Sequence, residues 1–218
     1  MPAANNLIED PFEAGTADAN KPLSNSRKSA AKRNEIIRAA IEIINTKSYA
    51  LAPMTEIAAA LSLRDATLYY YFSSKRALGF ACHVASLQRF ERLLAIADQT
   101  GTTGAQKLTN FTRGLLVESA RHGPSLYFGD YSYLEADQRE TITDWALRLK
   151  NLLEQFLKDG IKDGSIVPCE TALVIQLYLG MLIWLAKWVP SIEDMTVERL
   201  MNAIETFSIH GLQNRPPL

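Results

Sequence analysis

A chain of 218 residues, 47% of them apolar, can bury a core as one large domain or two small ones, which excludes a disordered or fibrous protein. The formal net charge of −1 excludes a uniformly basic polyanion binder, yet residues 27–80 carry nine Lys/Arg against four Asp/Glu while the stretches before and after are acidic on balance. The two cysteines, Cys82 and Cys169, have neither metal-ligand nor disulfide-framework spacing, so a reducing cytoplasm is expected, with no metal and no cofactor.

Residues 1–26 mix Pro, Gly, Asn, Asp and Ser with few large apolar groups and are expected to be a disordered leader; they contain no apolar run of the kind a secretory signal needs. A first helix follows over Ser29–Thr46, with Ile36, Ile37, Ala40, Ile41 and Ile44 on one face at 3.6-residue spacing. Pro53 suits the start of a short second helix to Leu61. Ser62 and Leu63 make a tight turn into a third helix over Arg64–Tyr70, and Ser73 or Ser74 is the N-cap of a long fourth helix reaching about Asp98. Further helices are predicted over 105–121, 125–135, 137–159, 169–189 and 192–212, with strand alternation absent throughout. The run from Ala172 to Val189 nearly matches a bilayer in length, but Gln176 and Lys187 interrupt it and no basic flank accompanies it; a buried core or interface helix is expected.

Functional chemistry concentrates in 53-PMTEIAAALSLRDATLYYYFSSKRAL-78. A short helix with small alanines, a tight turn and a second short helix rich in hydroxyls form a helix-turn-helix. Leu61, Leu63 and Leu68 are its apolar pegs, and Arg64, Asp65, Thr67, Tyr70 and Tyr71 remain outward for phosphate and base-edge contacts. Ser74 and Lys75 put a hydroxyl, a cation and free backbone N–H groups at a helix start, which suits a phosphate. Arg27 and Lys28, with Lys32 and Arg33, form either a minor-groove arm or a solvated charge run.

The segment Thr67–Leu78, reading T-L-Y-Y-Y-F-x-S-K-x-A-L, resembles the signature of the tetracycline-repressor (TetR) family, and 32-KRNEIIRAAIEI-43 resembles that family's first helix. The resemblance implies a transcriptional repressor: an all-α chain with a three-helix DNA-binding domain (27–76) and a helical ligand-binding and dimerisation domain (77–218). By the same resemblance Thr67, Tyr69, Tyr70 and Tyr71 contact DNA, Lys75 clamps a phosphate and Thr55 touches the backbone. Of the three tyrosines, Tyr69 is expected to be the structural one, wedged against the first helix. Ser62, Arg64, Asp65 and Tyr71 stand where the family commonly has other residues; Asp65 would sooner accept from a cytosine amine than meet a phosphate.

Two amphipathic helices at the chain end, with Leu173, Leu177, Gly180 and Trp184 on one and Val197, Leu200, Met201 and Ile204 on the other, suit either a homodimer interface or packing on their own domain. A homodimer implies a palindromic double-stranded operator; no membrane partner is expected. A small-molecule cavity is expected to be lined by Phe90, Phe111, Leu115, Tyr127, Tyr131, Trp145 and Trp184, with Arg148 and Gln176 as polar anchors. The Trp184, Trp188, Pro190 spacing is similar to branches of the family that sense acyl thioesters, although both tryptophans also fit as interface filler. Enzyme chemistry finds no phosphate loop, metal cluster or nucleophile elbow. The remaining alternative is a DNA-binding dimer with no small-molecule effector, controlled by a protein partner; a fully packed body would favour it.

Overall fold

The computed structural model describes residues 25–126 and 130–209. Among the described residues, eight α-helices follow in chain order: α1 (Asn25–Lys47), α2 (Met54–Ala60), α3 (Asp65–Tyr71), α4 (Lys75–Thr100), α5 (Gly104–His122), α6 (Ala136–Asp163), α7 (Thr171–Trp188) and α8 (Val197–Ile204). No strand occurs among the described residues, and the fold is all-α. The leader expected over 1–26 lies outside the described residues except for Asn25 and Ser26, which already belong to α1.

The first three helices close on one apolar core. Ile36, Ala40 and Ile41 of α1 meet Ile57 and Ala58 of α2, Leu68 of α3, and Phe72. The turn from α2 to α3 ends the helix by returning the Leu63 N–H to the Ala58 carbonyl (2.9 Å) and the Ser62 N–H to the Ala59 carbonyl (3.0 Å). This double return needs a left-handed residue at Ser62, whose φ is +53°. A serine there bears roughly 1 kcal/mol of strain that a glycine would not. Ser74 is the N-cap of α4, its Oγ accepting from the Ala77 N–H at 3.1 Å.

Along α4 the buried face changes partner. Leu78, Ala81 and Cys82 belong to the N-terminal core, whereas Leu87, Leu93, Leu94 and Ala97 belong to a second core built with α5, α6, α7 and α8. The helix therefore runs as one rod from the head into the body, and no chain break marks residue 76. At the far end, the first N–H groups of α5 are met by the turn after α6: Gly104 N donates to Asp163 Oδ2 (2.8 Å) and Ala105 N to Ser165 Oγ (3.2 Å).

Three expectations about elements change. The helix expected over 125–135 is absent from the described part of that stretch, where Asp130 Oδ1 accepts from the Ser132 N–H (2.8 Å) in an Asx turn that competes with helical bonding. Gly160 does not end the helix before it; α6 continues to Asp163 and stops at Gly164, φ +80°. The last helix starts at Val197 instead of residue 192, because Thr196 is a true N-cap, its Oγ1 accepting from the Arg199 N–H at 3.1 Å, and because Asp194 has φ +54°. It passes into a π-turn over Glu205–Ile209.

The segment Thr171–Ser191 is long and apolar enough to cross a membrane. Its contacts divide by face: Ile175, Tyr178, Leu182 and Leu185 are buried in the second core, while Leu173, Leu177 and Trp184 lie on the opposite, exposed side. One face thus serves the core of this chain, and the other is exposed.

Candidate nucleic-acid interface and ligand cavity

The outer surface of the head is built by α2, α3 and the start of α4. Thr55, Arg64, Asp65 and Ser74 are exposed there. Tyr70 is 81% exposed and Tyr69 50% exposed. Thr67 is half-buried beside them. Tyr71, edge-on to Tyr70 with ring centroids 5.2 Å apart, packs against the N-terminal core. The structural tyrosine is therefore Tyr71 and not Tyr69: at three residues beyond the fully buried Leu68, position 71 falls on the inward face of a short helix.

Lys75 is poised at this surface. Its Nζ donates to the Ala50 carbonyl at 3.1 Å and lies 4.6 Å from the centre of the Tyr49 ring. Partial burial lowers its pKa from the ordinary lysine value. Tyr49 in turn stacks on Tyr133 at 3.3 Å, and Tyr133 shares a 2.7 Å hydrogen bond with His83 of α4. Burial pushes His83 down to about 4, so it is neutral at pH 7. The cation is therefore backed by an aromatic stack that reaches the body. Arg27 and Lys28 are exposed at the first turns of α1. Lys32 pairs with Glu35 of the same helix (2.6 Å), and Arg33 covers the Phe72 ring (4.8 Å), which ties Arg33 to the fold of the head.

In the body, a cavity of about 360 Å³ opens between α4, α5, α7 and the approach to α8. Phe90, Leu115, Leu116, Leu182, Leu185, Val189 and Leu200 make its apolar walls, and Ser119, Ser125 and Thr196 are its polar residues. Among the described residues, no charged side chain lines it. Such a space suits an uncharged, mostly apolar body of small-molecule size.

Of the residues expected to line a cavity, Phe90 and Leu115 do so. Phe111 is fully buried behind the wall, edge-on to Phe90 at 4.7 Å. Tyr131 is half-buried near His83 (5.2 Å) and Trp145 is half-buried on α6, both away from this cavity. Arg148 is exposed and paired with Glu91 at 3.5 Å. Gln176 is exposed and Trp184 is 52% exposed, both on the outer side of α7. Tyr127 lies outside the described residues. Sequence reasoning missed Leu116, Leu182, Leu185, Ala186, Val189 and Leu200, whose stripes read as plain core or interface, and with them Ser119, Ala120, the stretch Pro124–Leu126, and Met195–Val197. Small residues bordering a void carry no periodic signal, so only the proline at a helix end could have marked the place.

Residues 36–82 match the model of the bacterial regulatory proteins of the tetR family, and residues 101–212 match the tetracyclin repressor-like C-terminal domain. The chain belongs to the TetR family. The fatty acid metabolism regulator protein of Bacillus subtilis (strain 168) is 24% identical over 196 residues, covering 84% of this chain and 97% of the relative. Two solved structures share the fold. AibR in complex with isovaleryl coenzyme A and operator DNA superposes with a TM-score of 0.68 at 21% identity, over 82% of this chain and 98% of its own. The ketosteroid transcriptional regulator KstR2 of Mycobacterium tuberculosis gives 0.72 at 14% identity, over 84% and 96%.

Proposed function

We propose that this TetR-family regulator is a cytoplasmic homodimeric repressor that holds a palindromic operator through α3 and the start of α4, and releases it when a largely apolar effector, of acyl-chain type, fills the cavity. The observation that carries the reading is the uncharged cavity built against α4, the same helix whose first residue is Lys75. A molecule that displaces Phe90 tilts that rod and changes the separation of the two recognition helices. DNA accepts one separation, so a ligand that prefers another must weaken DNA binding by its differential affinity, typically about 1–3 kcal/mol. The cavity supports this over control by a protein partner alone, which calls for a filled body. The acyl class is supported by the apolar walls, by the fatty acid metabolism regulator protein among its relatives, and by the fold shared with AibR, whose structure is a complex with isovaleryl coenzyme A and operator DNA.

The test is a panel. An operator duplex, selected from random sequence by the purified protein, is titrated with acyl coenzyme A thioesters, free fatty acids and aromatic acids while anisotropy reports release. Acyl compounds, whose chains can enter the apolar cavity while their charged heads stay outside it, should release the DNA, and aromatic acids, which lack such a chain, should not. If nothing apolar in the panel releases it, the effector reading is wrong.

On the DNA side, Lys75, Ser74 and Thr55 are assigned to phosphates and Arg64, Asp65, Thr67, Tyr69 and Tyr70 to positioning and base edges, with Tyr71 bracing Tyr70. Arg27 and Lys28 extend the charge along α1. Lys75→Ala should weaken binding to every sequence alike and flatten the salt dependence by about one phosphate, a slope change of about 0.9 in log K against log salt. Tyr70→Ala should instead alter sequence preference. Unchanged affinity for Lys75→Ala at two salt concentrations would remove that lysine from the interface.

A further inference from the structure

We infer that residues 123–126, the stretch leaving α5, carry occupancy of the cavity to the DNA-binding head, with Asn45 in the last turn of α1 as the positioning residue that receives it. The inference rests on reading the cavity as an effector site. The stretch has two faces. Pro124, Ser125 and Leu126 border the cavity. Leu126 is at the same time 2% exposed and part of the head's core, in the cluster of Ile36 and Phe72.

Because the stretch is not helical, its backbone groups need partners of another kind. Side chains of α1 and α4 supply three. Arg89 donates to the Gly123 carbonyl (2.7 Å), Ser86 Oγ accepts from the Leu126 N–H (2.9 Å), and Asn45 Nδ2 donates to the Ser125 carbonyl (2.9 Å). All three of these side chains are buried. Asn45 is held from a second side as well, since its own carbonyl accepts from Lys187 Nζ on α7. Ala186, next to that lysine, is another border of the cavity. Gly123 sets the path of the stretch with φ +81° and ψ 165°, a conformation open essentially to glycine alone.

The end of α1 is thus bracketed by two elements that both form the cavity's edge. A molecule pressing on Ser125 or Ala186 moves one arm of the bracket. The buried Asn45 bonds are then kept or exchanged, which gives the two discrete arrangements that coupling between distant sites requires. From Asn45 the movement passes along α1, which packs on α2, and α2 packs on α3.

The test separates the bracket from the cavity by a double comparison in the full-length protein. The cavity is filled either from inside, by Ala186→Phe, or from outside, by saturating decanoyl coenzyme A. Operator affinity is read by anisotropy in the native background and in Asn45→Ala, with melting curves verifying that each variant folds. In the native background each filler should weaken operator binding about tenfold, within the usual range of coupling. In Asn45→Ala the same fillers should weaken it less than about threefold. Ser86→Ala, which cuts the tie to Leu126, should blunt the response in the same way and serves if Asn45→Ala does not fold. Hydrogen exchange at the Leu126 amide should quicken with either filler in the native chain. Equal weakening in all backgrounds would overturn the inference and leave the cavity reading standing. No weakening in the native background would overturn the cavity reading, and the inference with it.

Discussion

Gly180→Arg should convert the protein to a monomer at micromolar concentration and lower operator affinity on the order of 100-fold or more, the loss expected when two linked DNA contacts become one. The position is favourable for such a test. A Cβ at Gly180 meets nothing within 4 Å, so an arginine there leaves the fold of the chain untouched. It also replaces a helix-interior glycine, which if anything stabilises α7 by up to about 1 kcal/mol. Leu173, Leu177 and Trp184 flank Gly180 on the exposed side, and Leu177 is 75% exposed. An apolar stripe of this length does not face water by default; it fits a two-fold contact in which the same patch meets itself. The bare Gly180 lets two such helices approach. A charge at the centre of that contact would be desolvated without a partner, twice over by symmetry. Leu177→Asp should act in the same direction, while Leu147→Asp, on the exposed side of α6, should leave the dimer intact. Sedimentation at several concentrations decides the matter: a Gly180→Arg protein that still sediments as a tight dimer would place the interface elsewhere.

Gly104→Ala should cost about 3 kcal/mol or more, the upper end of the penalty for overpacking. At Gly104 the first turn of α5 crosses the last part of α6 with the two backbones in contact, and a Cβ there would overlap the Phe156 carbonyl and the Gly160 backbone. Backbone cannot swing aside as the tip of a side chain can. Relief would need the helices to separate, which would also loosen the Gly104 N–H from Asp163 and the Ala105 N–H from Ser165. For a chain of this size the melting temperature should fall on the order of 10 °C. Gly114→Ala is the matched control: its Cβ would meet only the movable end of the Leu93 side chain, at 3.1 Å, and a much smaller fall is expected. A Gly104→Ala protein melting within about 2 °C of the native one would mean that the crossing relaxes at no cost, against the usual behaviour of packed backbone.

Much of the head was legible before any coordinates. Its α2 and α3 are short and bounded by strong local signals: Pro53 before α2, Ser62 and Leu63 in the turn, and Ser74 at the start of α4. Local chemistry of that kind acts over three or four residues, so it survives in sequence. Even there, which tyrosine turns inward was misjudged. Tyr69 and Tyr71 lie on nearly opposite sides of a seven-residue helix, and which of them turns inward depends on the rotation of α3 about the buried Leu68, which so short a helix does not announce by periodicity.

The body was legible in outline and not in detail. Periodicity identified α5, α6 and α7 and their apolar stripes because burial of a stripe repeats every turn. It did not say what each stripe faces. Phe111 and Trp184 are both aromatic residues on amphipathic helices, yet one is sealed in the core and the other lies on an open face. Likewise Gly104 and Gly160 fall just outside the helices predicted over 105–121 and 137–159, although they are the contact point of two crossing helices.

The amino-acid order by itself determined the all-α class, the helix-turn-helix and the charge that gathers around it, since these follow from spacing, caps and turns along the chain. Only the tertiary structure decided where the cavity lies, which face of α7 remains outward, and that Asn45 meets the loop 123–126. Those facts depend on how helices far apart in sequence cross. A void is the place that no side chain reaches, and small residues such as Ser119 and Ala120 that leave it open carry no pattern to announce it.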